Sequence, residues 1–352
     1  MNKDIVLITS AWKMSGVYRI ESELTREWQR QGHRVSIINA NGRIMHDALN
    51  AMKIQSEKEE PRIKPITLIN RFFRLIWFFH IHKSDTIVAL SITADCFAAL
   101  FGLLVRNKVV ISERNDPSQY PESHTYRKFR DFCFRFADVC VFQTDDARAY
   151  FSTSIQKKGV VIPNPINDDI PEFDAVQREK VVMSTGRLKA QKNFPMLIRA
   201  FAEFSKQFPE YRLKIYGDGE LLDELKQLAD SLDIINKVDF EGFNDDIYPL
   251  MASASIFVMS SNYEGISNAM LEALAIGVPT ICTDCPAGGA RQMIEDGING
   301  LLVPVGDVKA LQEAMQRVAS DEGFAATLGQ NGKLIRKKYP LDRIASMWIE
   351  VM

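Results

Sequence analysis

The chain is poor in the features that hold small exported proteins together or fix a protein in a bilayer. Its five cysteines (Cys96, Cys133, Cys140, Cys282 and Cys285) are odd in number, sparse over 352 residues and mostly set in apolar runs. That usage fits reduced thiols in a cytosol and not an oxidised framework. Cys282 and Cys285 form a Cys-x-x-Cys, yet no second pair and no nearby His accompanies it, so both read as small core residues. A long apolar run is also missing. The most apolar stretch, Ile66 to Ile81, is broken by Asn70, Arg71, Arg74 and His80, and falls short of the about 20 clean residues of a spanning helix. The opening MNKDIVLITS lacks the apolar centre of a signal peptide and reads as a strand from Asp4. The five histidines show no ligand spacing beside acidic residues, and the chain has neither an Asp-x-Asp nor a P-loop pattern. A metal-dependent transferase, a kinase and an ATPase are therefore disfavoured, and neither metal nor cofactor is expected.

What is present is the mixture of a globular chain, with 46% hydrophobic and 25% charged residues. At roughly 100 to 200 residues per domain the length suggests two domains. The net charge of −2 conceals opposite halves. Residues 1–163 carry 24 Lys and Arg against 17 Asp and Glu, whereas residues 164–352 carry 19 against 28. A basic half beside an acidic one suggests that the first faces something anionic. The cations do not form one dense stripe, which argues against nucleic acid.

Short β-rich runs alternate with amphipathic helical stretches throughout, the pattern of parallel strands joined by crossover helices. In the first half strands are predicted at 5–9, 34–40, 86–90, 109–112 and 139–143, with helices at 17–31, 68–82, 93–106 and 126–136. After Pro165 strands are predicted at 181–185, 212–216, 238–240, 256–259, 280–283 and 301–303. Residues 41–65 read as a loop. The expected architecture is α/β, two Rossmann-like doubly wound domains facing a central cleft, with the site at the carboxyl ends of the strands. The boundaries are expected at 1–163, 164–338 and a final helix at 339–352 packing back on the first domain.

Two segments of the second half carry chemistry. In STGRLKAQKN, residues 184–193, Arg187 and Lys192 follow a buried strand directly. A planar guanidinium and a point charge there suit a diphosphate, and would neutralise charge developing on a leaving nucleoside diphosphate. In YEGISNAMLEA, residues 263–273, Gly265 and Asn268 separate Glu264 from Glu272 at a strand-to-helix junction. Gly265 allows close approach to a ligand, and the free amides of a helix's first turn favour an anion. With Glu272 read as about two turns into the helix, the carboxylates lie roughly 10 Å apart along its axis at 1.5 Å per residue. They are too far apart for an acid/base pair and suited to two ends of one long ligand.

GRLxxQKN followed by EGxSNxxLEA resembles the retaining glycosyltransferase family 4, on the GT-B fold, along nearly the whole chain. The resemblance implies that Arg187 and Lys192 grip the donor diphosphate and that Glu272 takes the ribose hydroxyls. It also implies that Glu264, with the backbone of Gly265, Ile266, Ser267 and Asn268, holds the donor sugar. Tyr216 to Glu220 matches the family's glycine turn, and Glu241 to Phe243 occupies the place of contacts to the base. The family's Gly-Gly-x-Glu turn is reduced to Ser15-Gly16 with Tyr18 in place of the acid, leaving Gly16 to approach the phosphates. In SERNDP, residues 112–117, Arg114 stands where relatives carry a His. Arg114 cannot act as a base, so Arg114 and Asn115 are expected to bind sugar or acceptor phosphate, against the alternative of a capped turn. CPAGGARQMIEDGINGLLVPVGD, residues 285–307, is similar to bacterial members that build polysaccharides and lipid-linked glycans.

Two basic aromatic stretches, residues 71–83 and 126–136, have apolar positions edged by Arg and Lys. They suit either the sheet's core or an anionic membrane interface. The expectation is a cytoplasmic enzyme, peripheral on the inner face of the membrane. It would move a hexose or N-acetylhexosamine from a UDP-sugar or similar nucleotide diphosphate sugar to a glycan on a polyprenyl diphosphate. The alternatives are a nucleotide-sugar epimerase on the same fold and a non-catalytic subunit of an assembly complex.

Overall fold

The computed structural model describes residues 2–9, 16–39, 44–45, 76, 79, 86–105, 107–173 and 178–352. The chain divides into two compact units, one of residues 1–165 with 341–352 and the other of residues 166–340.

The first unit is a seven-stranded sheet. Its strands are β1 (Asp4–Thr9), β2 (Arg34–Asn39), β3 (Ile44–Met45), β4 (Thr86–Ala89), β5 (Val109–Glu113), β6 (Val139–Phe142) and β7 (Gly159–Val161), ordered β3-β2-β1-β4-β5-β6-β7. All neighbours run parallel except β3, which is antiparallel to β2 with Ile37 opposite Met45. Strands such as VVISE at β5 are buried along their whole length, as expected of a parallel sheet covered on both faces. Two elements depart from the sequence reading. Ile44 and Met45 form a strand inside the segment read as loop, and β7 is a three-residue strand too short to show a period. The remainder of the 41–65 loop, and the helix expected over 68–82 apart from Ile76 and Phe79, lie outside the described residues.

The helix Gly16–Arg30 buries Ile20, Leu24 and Trp28, one stripe at a four-residue spacing. Trp28 explains the destination of the last helix, Leu341–Val351. Its Nε1 donates to the Ala345 carbonyl at 3.1 Å, and its ring meets Trp348 edge to face at 6.3 Å. Two large buried indoles are among the costliest groups to leave in water, and Lys3 adds a 2.6 Å bond to the Ile349 carbonyl.

The second unit is a wholly parallel six-stranded sheet. Its strands are β8 (Glu179–Thr185), β9 (Arg212–Tyr216), β10 (Val238–Gly242), β11 (Ala254–Met259), β12 (Thr280–Thr283) and β13 (Leu301–Val303), ordered β10-β9-β8-β11-β12-β13. Alternate residues feed two cores. Val182, Ile215 and Val258 join one cluster with the helix Phe194–Gln207, while Met183, Tyr216 and Met259 join another with the helix Asn268–Ile276. The strand order reverses between β8 and β11. Loops leaving the carboxyl ends of these strands diverge to opposite faces, and such a switch point is where open α/β sheets bind ligands.

Candidate active site

At the carboxyl end of β8 the chain turns through Gly186, Arg187 and Leu188 against the turn after β9. Gly186 N donates to the Tyr216 carbonyl and Leu188 N to the Asp218 carbonyl, both at 2.9 Å. A Cβ on Gly217 would lie 2.1 Å from the Gly186 carbonyl oxygen, and Gly217 has φ +131°. The two backbones can meet only because glycine is there. The result aims Arg187 outward, exposed and without an ion pair among the described residues. Lys192 follows on a single 3-10 turn, Ala190–Lys192.

The loop after β11 is riveted to that turn. Ser260 Oγ donates to the carbonyls of Lys192 and Asn193 at 3.0 and 3.1 Å, and Asn262 Nδ2 donates to the Ala190 carbonyl at 2.9 Å. Asn193 returns a bond from its own Nδ2 to Asn262 Oδ1 at 2.9 Å. These bonds bring Lys192 Nζ to 2.5 Å from Glu264 Oε2, with both side chains 16% exposed. The loop after β12 holds the same glutamate by its backbone. Glu264 N donates to the Pro286 carbonyl at 2.7 Å, and Ala287 N donates to the Glu264 carbonyl at 3.0 Å. A Cβ on Gly289 would come within 2.0 Å of the Gly265 carbonyl oxygen, so this contact too is backbone against backbone.

Beyond Glu264 the helix begins at Asn268, with Ser267 as N-cap and no side-chain cap bond. Its first turn carries the positive end of the helix dipole. Gly265, Ile266 and Ser267 are buried beside it. Glu272 is the fifth residue of the helix and 7% exposed. It lies just over one turn in, not the two turns expected, because the helix starts later than the sequence pattern suggested. Phe243, one residue past β10, is 57% exposed. Arg187, Lys192, Glu264 and the Gly265–Asn268 segment thus share the carboxyl end of one sheet. Sequence reasoning missed Ser260, Ser261, Asn262 and the loop 286–289, whose short polar side chains and backbone groups give no signal until the loops are folded together.

The first unit carries a second polar cluster at the carboxyl end of its own sheet. Thr9, the last residue of β1, donates from Oγ1 to Glu21 Oε2 at 2.6 Å. Asp95, in the helix Ile92–Val105, accepts from Ser112 N at 3.1 Å. Glu21, Asp95 and Glu113 are all buried. Burial pushes the Glu21 carboxyl up to about 8 and Glu113 up to about 7, and raises Asp95 well above the carboxylate range. Arg114 bonds Asn164 Oδ1 and stands 6.0 Å from the Trp348 ring centroid. Its pKa is lowered to about 10 by burial, opposed by Asp95 and Glu113. Asn115 and Asp116 close the turn with their own side chains: Asp116 N donates to Asn115 Oδ1 and Ser118 N to Asp116 Oδ1, both at 2.8 Å. Gly16 is the exposed first residue of its helix, and the loop before it lies outside the described residues.

Two other readings meet the structure. Cys282 and Cys285 are buried free thiols, and burial pushes the Cys285 thiol up to about 12. The stretch 126–136 falls on the helix His124–Phe134, where Phe134 is core and Phe129 and Phe132 are exposed. Arg130 does not edge an apolar face as expected. It is wholly buried, donating to Glu113 Oε2 at 3.0 Å and to the Tyr120 and Pro117 carbonyls at 2.8 Å, because the adjoining loop and Glu113 need its five donors. Of the stretch 71–83 only Ile76 and Phe79 are described, and Phe79 packs on Phe101. No helix among the described residues is long and apolar enough to cross a membrane.

Residues 166–335 match the family of group 1 glycosyl transferases. The chain is 28% identical to an N-acetyl-D-galactosaminyltransferase of Campylobacter jejuni over 91% of this chain and 90% of that one. It is 35% identical to the lipopolysaccharide core biosynthesis glycosyltransferase LpsE of Rhizobium meliloti over 47% of this chain and 46% of that one. Its fold is similar to that of Anabaena HepE, solved in complex with UDP-glucose, with a TM-score of 0.82, 20% identity and coverage of 99% of this chain and 98% of that one. Residues 166–335 thus form a group 1 glycosyl transferase domain, set in a chain of two α/β units that has the fold of solved GT-B enzymes and is similar to bacterial sugar transferases along most of its length.

Proposed function

We propose that this glycosyltransferase moves a hexose or N-acetylhexosamine from a UDP-sugar to a glycan carried on a polyprenyl diphosphate, without a metal and with retention of the anomeric configuration. The observation that carries the donor side is the switch-point cluster. Exposed Arg187 and half-buried Lys192 lie at the end of β8, and the helix starting at Asn268 has no side-chain cap. In this reading the two cations and the helix amides receive the diphosphate. Glu264 with the Gly265–Asn268 backbone holds the sugar, Glu272 the ribose, and Phe243 the base.

As the bond from the anomeric carbon to the diphosphate breaks, negative charge grows on the leaving oxygen. Arg187 and Lys192 stabilise it from fixed positions, which is worth more than the same charges in water. The acceptor oxygen bonds to the anomeric carbon, and its proton passes to the leaving diphosphate. Arg114 and Asn115 hold the acceptor sugar or phosphate. The lipid-linked acceptor is supported by the Campylobacter jejuni relative, whose name specifies a diNAcBac-PP-undecaprenol glycan. A peripheral position on the inner face of the cytoplasmic membrane is supported by the basic first half and by exposed Phe129 and Phe132 beside exposed Lys128 and Arg135.

Incubation of the purified protein with a panel of labelled nucleotide sugars and lipid-linked acceptors tests the reading. Transfer is expected from one donor, and Lys192→Ala is expected to lower turnover by about 10²–10³-fold, with a smaller loss in donor affinity for Glu272→Ala. Full activity in both variants would overturn the site. Conversion of donor without acceptor would indicate an epimerase.

A further inference from the structure

The ion pair at the centre of the donor site has a consequence for which ligand the site prefers. Lys192 Nζ lies 2.5 Å from Glu264 Oε2, and Ser261 Oγ donates to the same oxygen at 3.3 Å. Both partners are anchored at the base of their side chains. The stem of Lys192 lies over Gly186, and the peptide groups of Glu264 are bonded on both sides by Pro286 and Ala287. In this arrangement the cation is already matched by an internal anion. A diphosphate that takes Lys192 strips Glu264 of its counter-ion and sets further negative charge beside it, an arrangement that is costly for partly buried groups. A ligand that also brings hydroxyl donors can bond the released carboxylate, and hydrogen bonds to a charged acceptor are the strong ones.

We propose that Glu264 acts as an internal competitor for Lys192, so that the site binds an intact nucleotide sugar in preference to the nucleoside diphosphate left after transfer. The inference rests on the donor-site reading above. An intact donor replaces both halves of the pair, with phosphate oxygens on Lys192 and sugar hydroxyls on Glu264. Once the sugar has gone, Glu264 recovers Lys192 and product release is favoured.

Calorimetric titration with UDP, inorganic pyrophosphate and a panel of UDP-hexoses and UDP-N-acetylhexosamines tests the inference on the unmutated protein and on Glu264→Gln, which keeps shape and removes charge. The unmutated protein is expected to bind its UDP-sugar at least about fivefold more tightly than UDP. In Glu264→Gln, UDP and pyrophosphate are expected to bind about tenfold more tightly, while the UDP-sugar gains less or weakens, so the preference narrows or inverts. In a Lys192→Met background only the repulsion between Glu264 and the diphosphate remains, so the gain from Glu264→Gln is expected to shrink severalfold. Unchanged or weaker UDP binding in Glu264→Gln, or a gain that is undiminished without Lys192, would overturn the proposal and leave the donor site standing. Failure of every nucleotide and of pyrophosphate to bind either protein would overturn both.

Discussion

Glu21 offers a measurement in which structure fixes both sign and size. Its carboxyl is wholly buried in the first unit, with Oε2 accepting from Thr9 at 2.6 Å and Oε1 without a hydrogen-bond partner among the described residues. Burial pushes its pKa from 4.5 to about 8, with Thr9 and Arg114 acting the other way. Between these two values the native state keeps a proton that the unfolded chain has lost. The unfolded state therefore binds fewer protons, and stability falls as pH rises, by about 1.4 kcal/mol per unit. From pH 5 to pH 8 the loss comes to about 3 kcal/mol. Glu21→Gln keeps an acceptor for Thr9 and has nothing to ionise. Its stability relative to the unmutated protein is expected to rise by about 3 kcal/mol over that interval. Glu113, pushed up to about 7, bends both curves in the same direction and cancels in the difference. Urea unfolding followed by tryptophan fluorescence is a suitable assay, because Trp28 and Trp348 are buried against each other in the first unit. A difference that stays flat from pH 5 to pH 8 would refute the buried, protonated carboxyl.

Gly289→Ala places a Cβ 2.0 Å from the Gly265 carbonyl oxygen and must push the loop after β12 away from Glu264. Turnover is expected to fall by about 10²-fold, as displacements near 1 Å commonly cost, and unaltered kinetics would show that the loop does not position Glu264. Phe129→Ser combined with Phe132→Ser removes two exposed aromatics. Sedimentation with anionic vesicles at low salt is expected to drop by tenfold or more, at about 1.5–3 kcal/mol per buried phenylalanine. Absence of binding by the unmutated protein would remove the membrane from the reading.

Much of the protein is written in local pattern. Parallel strands buried on both faces read as near-continuous apolar runs, so β1, β4, β5 and β11 could be located without coordinates. The place of Arg187 at the end of β8 is equally local, because a strand followed at once by glycine and charge is a local arrangement. Elements too short to show a period escaped, as β3 and β7 did. The helix at Asn268 starts later than expected because Glu264 and Gly265 are held by the loop after β12, a contact that local pattern does not show.

Nothing local foretold the pairing of Lys192 with Glu264, which are 72 residues apart. It follows from β8 and β11 lying side by side, and strand adjacency is a property of the folded sheet. Burial likewise decided the chemistry of like residues. Arg187 and Arg130 are the same side chain, yet one faces solvent at a strand end and the other is enclosed with Glu113. Residue type supplies charge and reach, whereas neighbours and access to water, which the tertiary structure alone assigns, determine whether that charge meets a ligand or holds the fold.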